Sequence, residues 1–283
     1  MLALQPEVLR LQLRNFTCRQ ITTAINDSQG FKMTQALIYE NVTPVSSEVH
    51  RELSVETVNF EFASKVSSVP LTAVEIPIAC REYPIVFAGD DKGVTPMVVL
   101  GVEGNSNLYL DENMSWKADY IPAFIRRYPF VFSTSDDGQQ FTLCVDSQWS
   151  GCNNDNKGQR LFTDSGEKTP YTEHMLTFLK DYQQQFATTK TFCKKLQDLD
   201  LLEAMKADMV LPNGEKHTLQ GFYGVSRDRL HALDPSVLAD LAKSNFLELI
   251  YLQLNSMNNL RFVINRFVPK KPEDIAQEEP DGS

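Results

Sequence analysis

Nothing in this 283-residue chain approaches the run of roughly 18 apolar residues that a bilayer-crossing helix requires, so no transmembrane segment is expected. Cysteine is scarce. The five, Cys18, Cys80, Cys144, Cys152 and Cys193, are odd in number and show no CxxC spacing, which speaks against a disulfide framework or a zinc ribbon and points to a reducing compartment. Cys144 and Cys152 are close enough in sequence to pair, but only in an oxidising setting that nothing else supports. Positive charge is in deficit: 27 Lys and Arg against 37 Asp and Glu leave a net charge of −10. Such a surface repels phosphate backbones and anionic head groups, so nucleic acid is not an expected partner. The four histidines are scattered, with no pair at ligand spacing on one element, and neither a metal site nor a cofactor is expected. Also missing are GxGxxG, GxxxxGK(S/T), HExxH and GxSxG, which removes the usual warrants for dinucleotide, P-loop, zincin and hydrolase chemistry.

What is present is ordinary for a soluble, acidic, globular chain, 42% hydrophobic and 23% charged. The first twenty residues are interrupted by Gln5, Glu7, Arg10, Gln12 and Arg14 and do not read as a secretory signal. Leu2, Leu4, Leu9, Leu11 and Leu13 would suit a short amphipathic docking helix. The plainer reading makes Met33 the natural start and residues 1–32 an extension from an upstream start choice. Residues 269–283, rich in carboxylates and proline, are expected to form a disordered acidic tail. A cytoplasmic location is expected, with export to the cell surface without a conventional signal as the alternative.

Between these ends the pattern predicts an α+β protein, with a mainly antiparallel sheet in the N-terminal half and helices concentrated in the C-terminal half. Residues 33–150 form the β-rich half and 151–268 the helix-rich half, read together as one continuous domain. Strands are expected at Pro84–Phe87, Pro96–Leu100, Phe130–Phe132 and Phe141–Val145, with hairpin turns at 89–93 and 135–138. Thr72-Ala73-Val74-Glu75 has the spacing of a capping box, and Pro77 must end or kink the helix it opens. Asp119 is the expected cap of a second short helix containing Pro122. Later, two helical faces are expected on either side of a break at Ala187-Thr188-Thr189. Beyond them come a hairpin around Asn213-Gly214, a helix from Asp234-Pro235, a buried strand over Leu247–Leu254, and a last helix capped by Ser256.

The most distinctive segment is Trp116-Lys117-Ala118-Asp119-Tyr120-Ile121-Pro122-Ala123-Phe124-Ile125-Arg126-Arg127-Tyr128-Pro129-Phe130. Trp116, Tyr120 and Phe124 recur every four residues, so on a helix they would form one aromatic stripe, with Tyr128 extending it. Arg126 and Arg127 beside that stripe would fork onto an anionic ligand or a partner's carboxylate. The alternative is that the rings fill the core and the arginines make internal cation–π contacts. Three acid/base candidates accompany them. Glu75 lies among apolar residues, with a general-base reading beside its capping role. His50 is flanked by Glu48 and Glu52. Asp119, with Asp111 and Arg126, would make an ion-pair cluster holding the aromatic segment.

This same run resembles the SapC family of bacterial proteins. It is preceded by Glu75, by Tyr83-Pro84-Ile85-Val86-Phe87 and by Asn107-Leu108-Tyr109-Leu110-Asp111. It is followed by Leu161-Phe162-Thr163-Asp164-Ser165-Gly166-Glu167, Leu219-Gln220-Gly221-Phe222 and Ile250-Tyr251-Leu252-Gln253-Leu254-Asn255-Ser256. The sequence departs from the family in its N-terminal extension and at Asn113-Met114-Ser115, where a glycine is more usual, which puts the local turn in doubt. The resemblance implies a link to surface-layer biogenesis, or to nutrient uptake at the outer membrane and allied modification pathways, and assigns no catalytic residue. The expected function is therefore a non-enzymatic binding or assembly-accessory protein whose Trp116–Phe130 segment receives an unidentified protein or small molecule, with oligomeric state left open. The alternative is a small-molecule enzyme, or an accessory subunit of one, using Glu75, His50 or Asp119.

Overall fold

The computed structural model describes residues 38–267, apart from 91, 103–105, 135–140 and 212–213. The extension 1–32, the acidic tail 269–283, Cys18 and parts of three expected turns therefore lie outside the described residues. The strands form three antiparallel sheets, one from the β-rich half alone and two that draw strands from both halves. In the first, β1 (Val42–Pro44) lies beside β7 (Phe141–Asp146), which pairs with β6 (Phe130–Thr134) from Phe130↔Val145 to Thr134↔Phe141. A small second sheet places β2 (Ser54–Val55) between β8 (Cys152–Asn153) and β9 (Gln159–Arg160). The third and largest runs β10 (Leu202–Val210), β11 (Lys216–Val225), β4 (Ile85–Asp90), β5 (Gly93–Val99) and β3 (Ser68–Pro70). The expected strands are thus present. A chain segment from the helix-rich half completes the largest sheet through the pair Tyr223↔Phe87. Within the long pairing of β11 with β10, Gly221 is the extra residue between Phe222 and Gln220 and has φ +84°, a bulge geometry suited to glycine.

Three expectations fail in the helix-rich half. No break occurs at 187–189: α3 runs unbroken over Pro170–Asp198, 29 residues and about 43 Å long. The hydroxyls of Thr188, Thr189 and Thr191 donate to the carbonyls of Gln184, Gln185 and Ala187, so the threonines satisfy themselves within the helix instead of ending it. The run read as a buried strand, Leu247–Leu254, lies in α6 (Phe246–Ser256), because a short apolar run does not distinguish strand from helix. Ser256 does not cap the last helix either; its hydroxyl accepts from Ile85 N–H and donates to Gln253 O, fastening α6 to β4.

One apolar cluster contains Tyr83, Ile85, Phe87, Val98, Leu100, Phe192, Leu196, Val225 and Ile250; another contains Leu53, Val55, Phe130, Phe132, Val145, Leu161, Met175 and Leu179. Helix α3 supplies side chains to both: Met175 and Leu179 near its start, Phe192 and Leu196 near its end. Its middle faces the Trp116–Phe130 segment. Among the described residues no helix is long and apolar enough to cross a membrane.

Candidate functional site

Glu75 organises the region. Thr72 precedes a 3-10 turn (Ala73–Glu75) that continues into α1 (Ile76–Ala79), short as Pro77 requires. The Glu75 side chain reaches back so that Oε2 accepts from Thr72 N–H (2.8 Å) and Thr72 Oγ1 (2.7 Å). Its other oxygen, Oε1, accepts from Tyr120 OH (2.7 Å) and from Ala123 N–H (2.7 Å), the first amide of α2 (Ala123–Arg126). A buried carboxylate with four donors is fully engaged, and it ties two segments 45 residues apart into one unit. Asp119 is not the cap that was expected of it: Pro122 occupies that position and Glu75 receives the free N–H. Asp119 is exposed, and its own N–H donates to the Glu82 carboxylate, as does that of Tyr120.

The aromatic segment does not form one stripe, because only Ala123–Arg126 is helical. Trp116 does not line the hollow beside α3. Its Nε1 donates to Tyr83 OH (2.8 Å), its ring lies parallel to Tyr109 at 6.5 Å and edge-on to Phe60 at 5.6 Å, and Tyr83 OH in turn donates to Tyr120 O. The family departure at 113–115 is resolved by Asp111, whose Oδ1 accepts from the N–H groups of Asn113 and Ser115 while Met114 takes φ +57°. Tyr128 stacks on Phe62 at 3.9 Å and donates to Asp146 Oδ2 at 3.3 Å. Phe124 is buried.

The arginine pair divides. Successive residues of a helix point about 100° apart, and on α2 that sends Arg127 inward and Arg126 outward. Arg127 is 1% exposed, its guanidinium 4.3 Å from the Phe124 ring centre, 5.2 Å from Tyr182 and 5.7 Å from Tyr39. Burial pushes the Tyr39 hydroxyl up to about 12 against the opposing pull of Arg127, so the cation faces neutral phenols. Arg126 stays exposed. Its Nε donates to Ile121 O (2.9 Å), one Nη donates to Tyr120 OH (3.4 Å), and the guanidinium lies against Tyr120 and Phe178 at 5.6 and 5.3 Å.

Beside Arg126 is a recess of about 230 Å³ between α1 and α3, with Glu75, Tyr120 and Ala123 on one side and Phe178, Asp181, Tyr182 and Gln185 on the other. Of the sequence candidates, Tyr120, Arg126 and Glu75 meet here; Trp116, Phe124, Arg127 and Tyr128 do not line it. A model of the SapC family matches residues 45–262. The chain belongs to the SapC family. Neither the curated proteins nor the solved structures hold a significant match to it.

In this SapC protein the acid/base candidates are not assembled: among the described residues no hydrogen bond or common recess joins Glu75, His50 and Asp119. His50 is buried, and its Nδ1 accepts from Ser46 N–H at 3.2 Å, with desolvation holding its pKa below the ordinary value. The expected Asp111–Asp119–Arg126 ion-pair cluster is not formed; Asp111 serves its turn, and Arg126 binds a carbonyl and a phenol. Burial and the Glu75 carboxylate both push the Tyr120 hydroxyl well above its ordinary value, so it remains a donor. Sequence reasoning missed Phe178, Asp181 and Gln185. Their signal was present in part, since positions 178, 181, 182 and 185 share one helical face, but nothing local names the surface opposite. No three His, Cys, Asp or Glu side chains among the described residues gather into a group able to hold a metal ion. Cys80, Cys144, Cys152 and Cys193 are free thiols, so the 144–152 pair is not bridged.

Proposed function

We propose that this SapC protein is a non-enzymatic binding protein that holds a small carboxylate-bearing molecule in the recess edged by Arg126 and Tyr120. One observation carries the reading: Arg126, its guanidinium braced by Ile121 O and Tyr120 OH, lines a 230 Å³ recess, and among the described residues no carboxylate pairs with it. A planar guanidinium braced this way presents its remaining N–H groups as a fork for a carboxylate. Asp181 and Glu75 on the same recess disfavour a dianion such as phosphate. Glu75 supports binding over catalysis, since its oxygens are engaged by four donors and none is spare for abstracting a proton. The recess is smaller than the roughly 300 Å³ at which pockets for drug-sized ligands begin, so the ligand is small.

The setting belongs to the same proposal: an accessory role in surface-layer biogenesis or outer-membrane nutrient uptake, performed in a reducing compartment, which four free thiols support. The test is calorimetric titration of 4-methylpentanoate into the wild type and Arg126→Gln, with thermal melting as the control for folding. Binding lost in a variant that melts like the wild type supports the reading. Equal binding by both, or none by either, defeats it.

A further inference from the structure

The wall of the recess opposite Arg126 is not neutral. Asp181 is an exposed carboxylate on α3, and among the described residues it has neither an ion pair nor a hydrogen bond to its side chain; the guanidinium of Arg126 is not within ion-pair distance of it. One turn further on lies the Gln185 amide, also without a side-chain partner there. The Tyr182 hydroxyl is fully buried with no hydrogen-bond partner, which is uncommon for a polar group removed from water. Tyr182 lines the recess, and the Glu75 and Tyr120 side chains lie close enough to act on its ionisation. Val74 and Ile78, which also line the recess, are 53% and 43% exposed and lie one helical turn apart, an apolar surface beside the charged groups.

A cation and an anion that line one small recess, neither in an ion pair among the described residues, together with two exposed aliphatic side chains, match a ligand carrying the same three features. We propose that the recess binds a zwitterionic α-amino acid with a branched aliphatic side chain: its carboxylate on Arg126, its ammonium on Asp181, its side chain against Val74 and Ile78. This rests on the carboxylate-binding reading above and names the ligand class. Size agrees, because a recess of about 230 Å³ lies below the roughly 300 Å³ at which pockets for drug-sized ligands begin, a scale suited to a free amino acid. Charge agrees as well: with one guanidinium against the Asp181 and Glu75 carboxylates, a ligand bringing only negative charge faces repulsion that an ammonium relieves.

The experiment titrates three probes into the full chain: leucine, its deamino analogue 4-methylpentanoate, and its decarboxylated analogue 3-methylbutylamine. Leucine is expected to bind at least about tenfold more tightly than either analogue, a factor equivalent to 1.4 kcal/mol. Asp181→Asn should weaken leucine and tighten 4-methylpentanoate, because it removes the ammonium's partner and part of the carboxylate's repulsion together, so that the gap between them closes, and Arg126→Gln should abolish both. Both positions are exposed, and an unchanged melting temperature certifies each variant. If wild-type protein binds leucine and 4-methylpentanoate equally, the zwitterion inference fails while the carboxylate reading stands. If 3-methylbutylamine matches leucine, or 4-methylpentanoate does not bind the wild type, both fail.

Discussion

Glu75→Gln should destabilise the protein even though it removes no atom, and the geometry says by how much. Each oxygen of the Glu75 carboxylate accepts one backbone N–H and one hydroxyl: Thr72 N and Thr72 Oγ1 on Oε2, Ala123 N and Tyr120 OH on Oε1. An amide has one acceptor oxygen, so whichever way the glutamine is turned its NH2 confronts one of these pairs. The hydroxyl on that side can rotate and accept, but the backbone N–H cannot. One orphaned donor at a 4%-exposed site, with the loss of charge assistance on the other bonds, costs about 2–3 kcal/mol. For a domain of this size that lowers the melting temperature by about 4–12 °C. Glu75→Ala should fall further, since Thr72 N–H, Ala123 N–H and Tyr120 OH then all lose their acceptor. Thermal melts by circular dichroism, with urea titration for the free energy, read both effects. Should both variants melt within about 1 °C of the wild type, Glu75 is not the pin that joins the 72–75 turn to α2, and its general-base reading regains its force.

Three further outcomes follow from the same kind of reasoning. Arg127→Ala empties a buried site bounded by three rings and should cost about 3–5 kcal/mol, whereas Arg126→Ala, one residue away and exposed, should cost no more than about 1 kcal/mol in the same urea titration. His50 has a folded-state pKa below its ordinary 6.5, so its contribution is present above that pH and is lost as the pH falls through the lowered value; His50→Asn, which keeps an acceptor for Ser46 N–H, should make stability less steep between pH 7 and 5. Met114→Gly removes a side chain from a left-handed position at φ +57° and should raise stability by up to about 1 kcal/mol, seen as an upward shift of the urea midpoint.

Much of the strand content was open to sequence reasoning because its cause is local. Ile85–Phe87 and Phe130–Phe132 are β-branched and aromatic runs bounded by turn residues, and they pair with the strands that follow them in the chain. The Thr72–Glu75 cap was legible for the same reason: its two partners are three residues apart. Where a segment had two local solutions, neighbours far away in the chain selected one. The 247–254 run becomes helix because α6 closes over β4, with Gln253 Nε2 donating to Ile85 O and Ser256 accepting from Ile85 N–H, contacts spanning about 170 residues.

The candidate site shows where that division falls. Composition alone settled that the chain is acidic and carries no long apolar span, and the 116–130 signature marked a segment holding Tyr120 and Arg126, because residue types and short spacings are properties of the chain itself. It could not separate Arg126 from Arg127. They are adjacent and chemically identical, and which one becomes a buried cation depends on the rotation of a one-turn helix whose first amide is fixed by Glu75 and whose inner face meets Tyr182 on α3. The recess itself belongs to the tertiary structure alone: its two charged sides, Arg126 and Asp181, are 55 positions apart in sequence, and only the packing of α3 against the 72–79 segment and α2 sets them across one hollow.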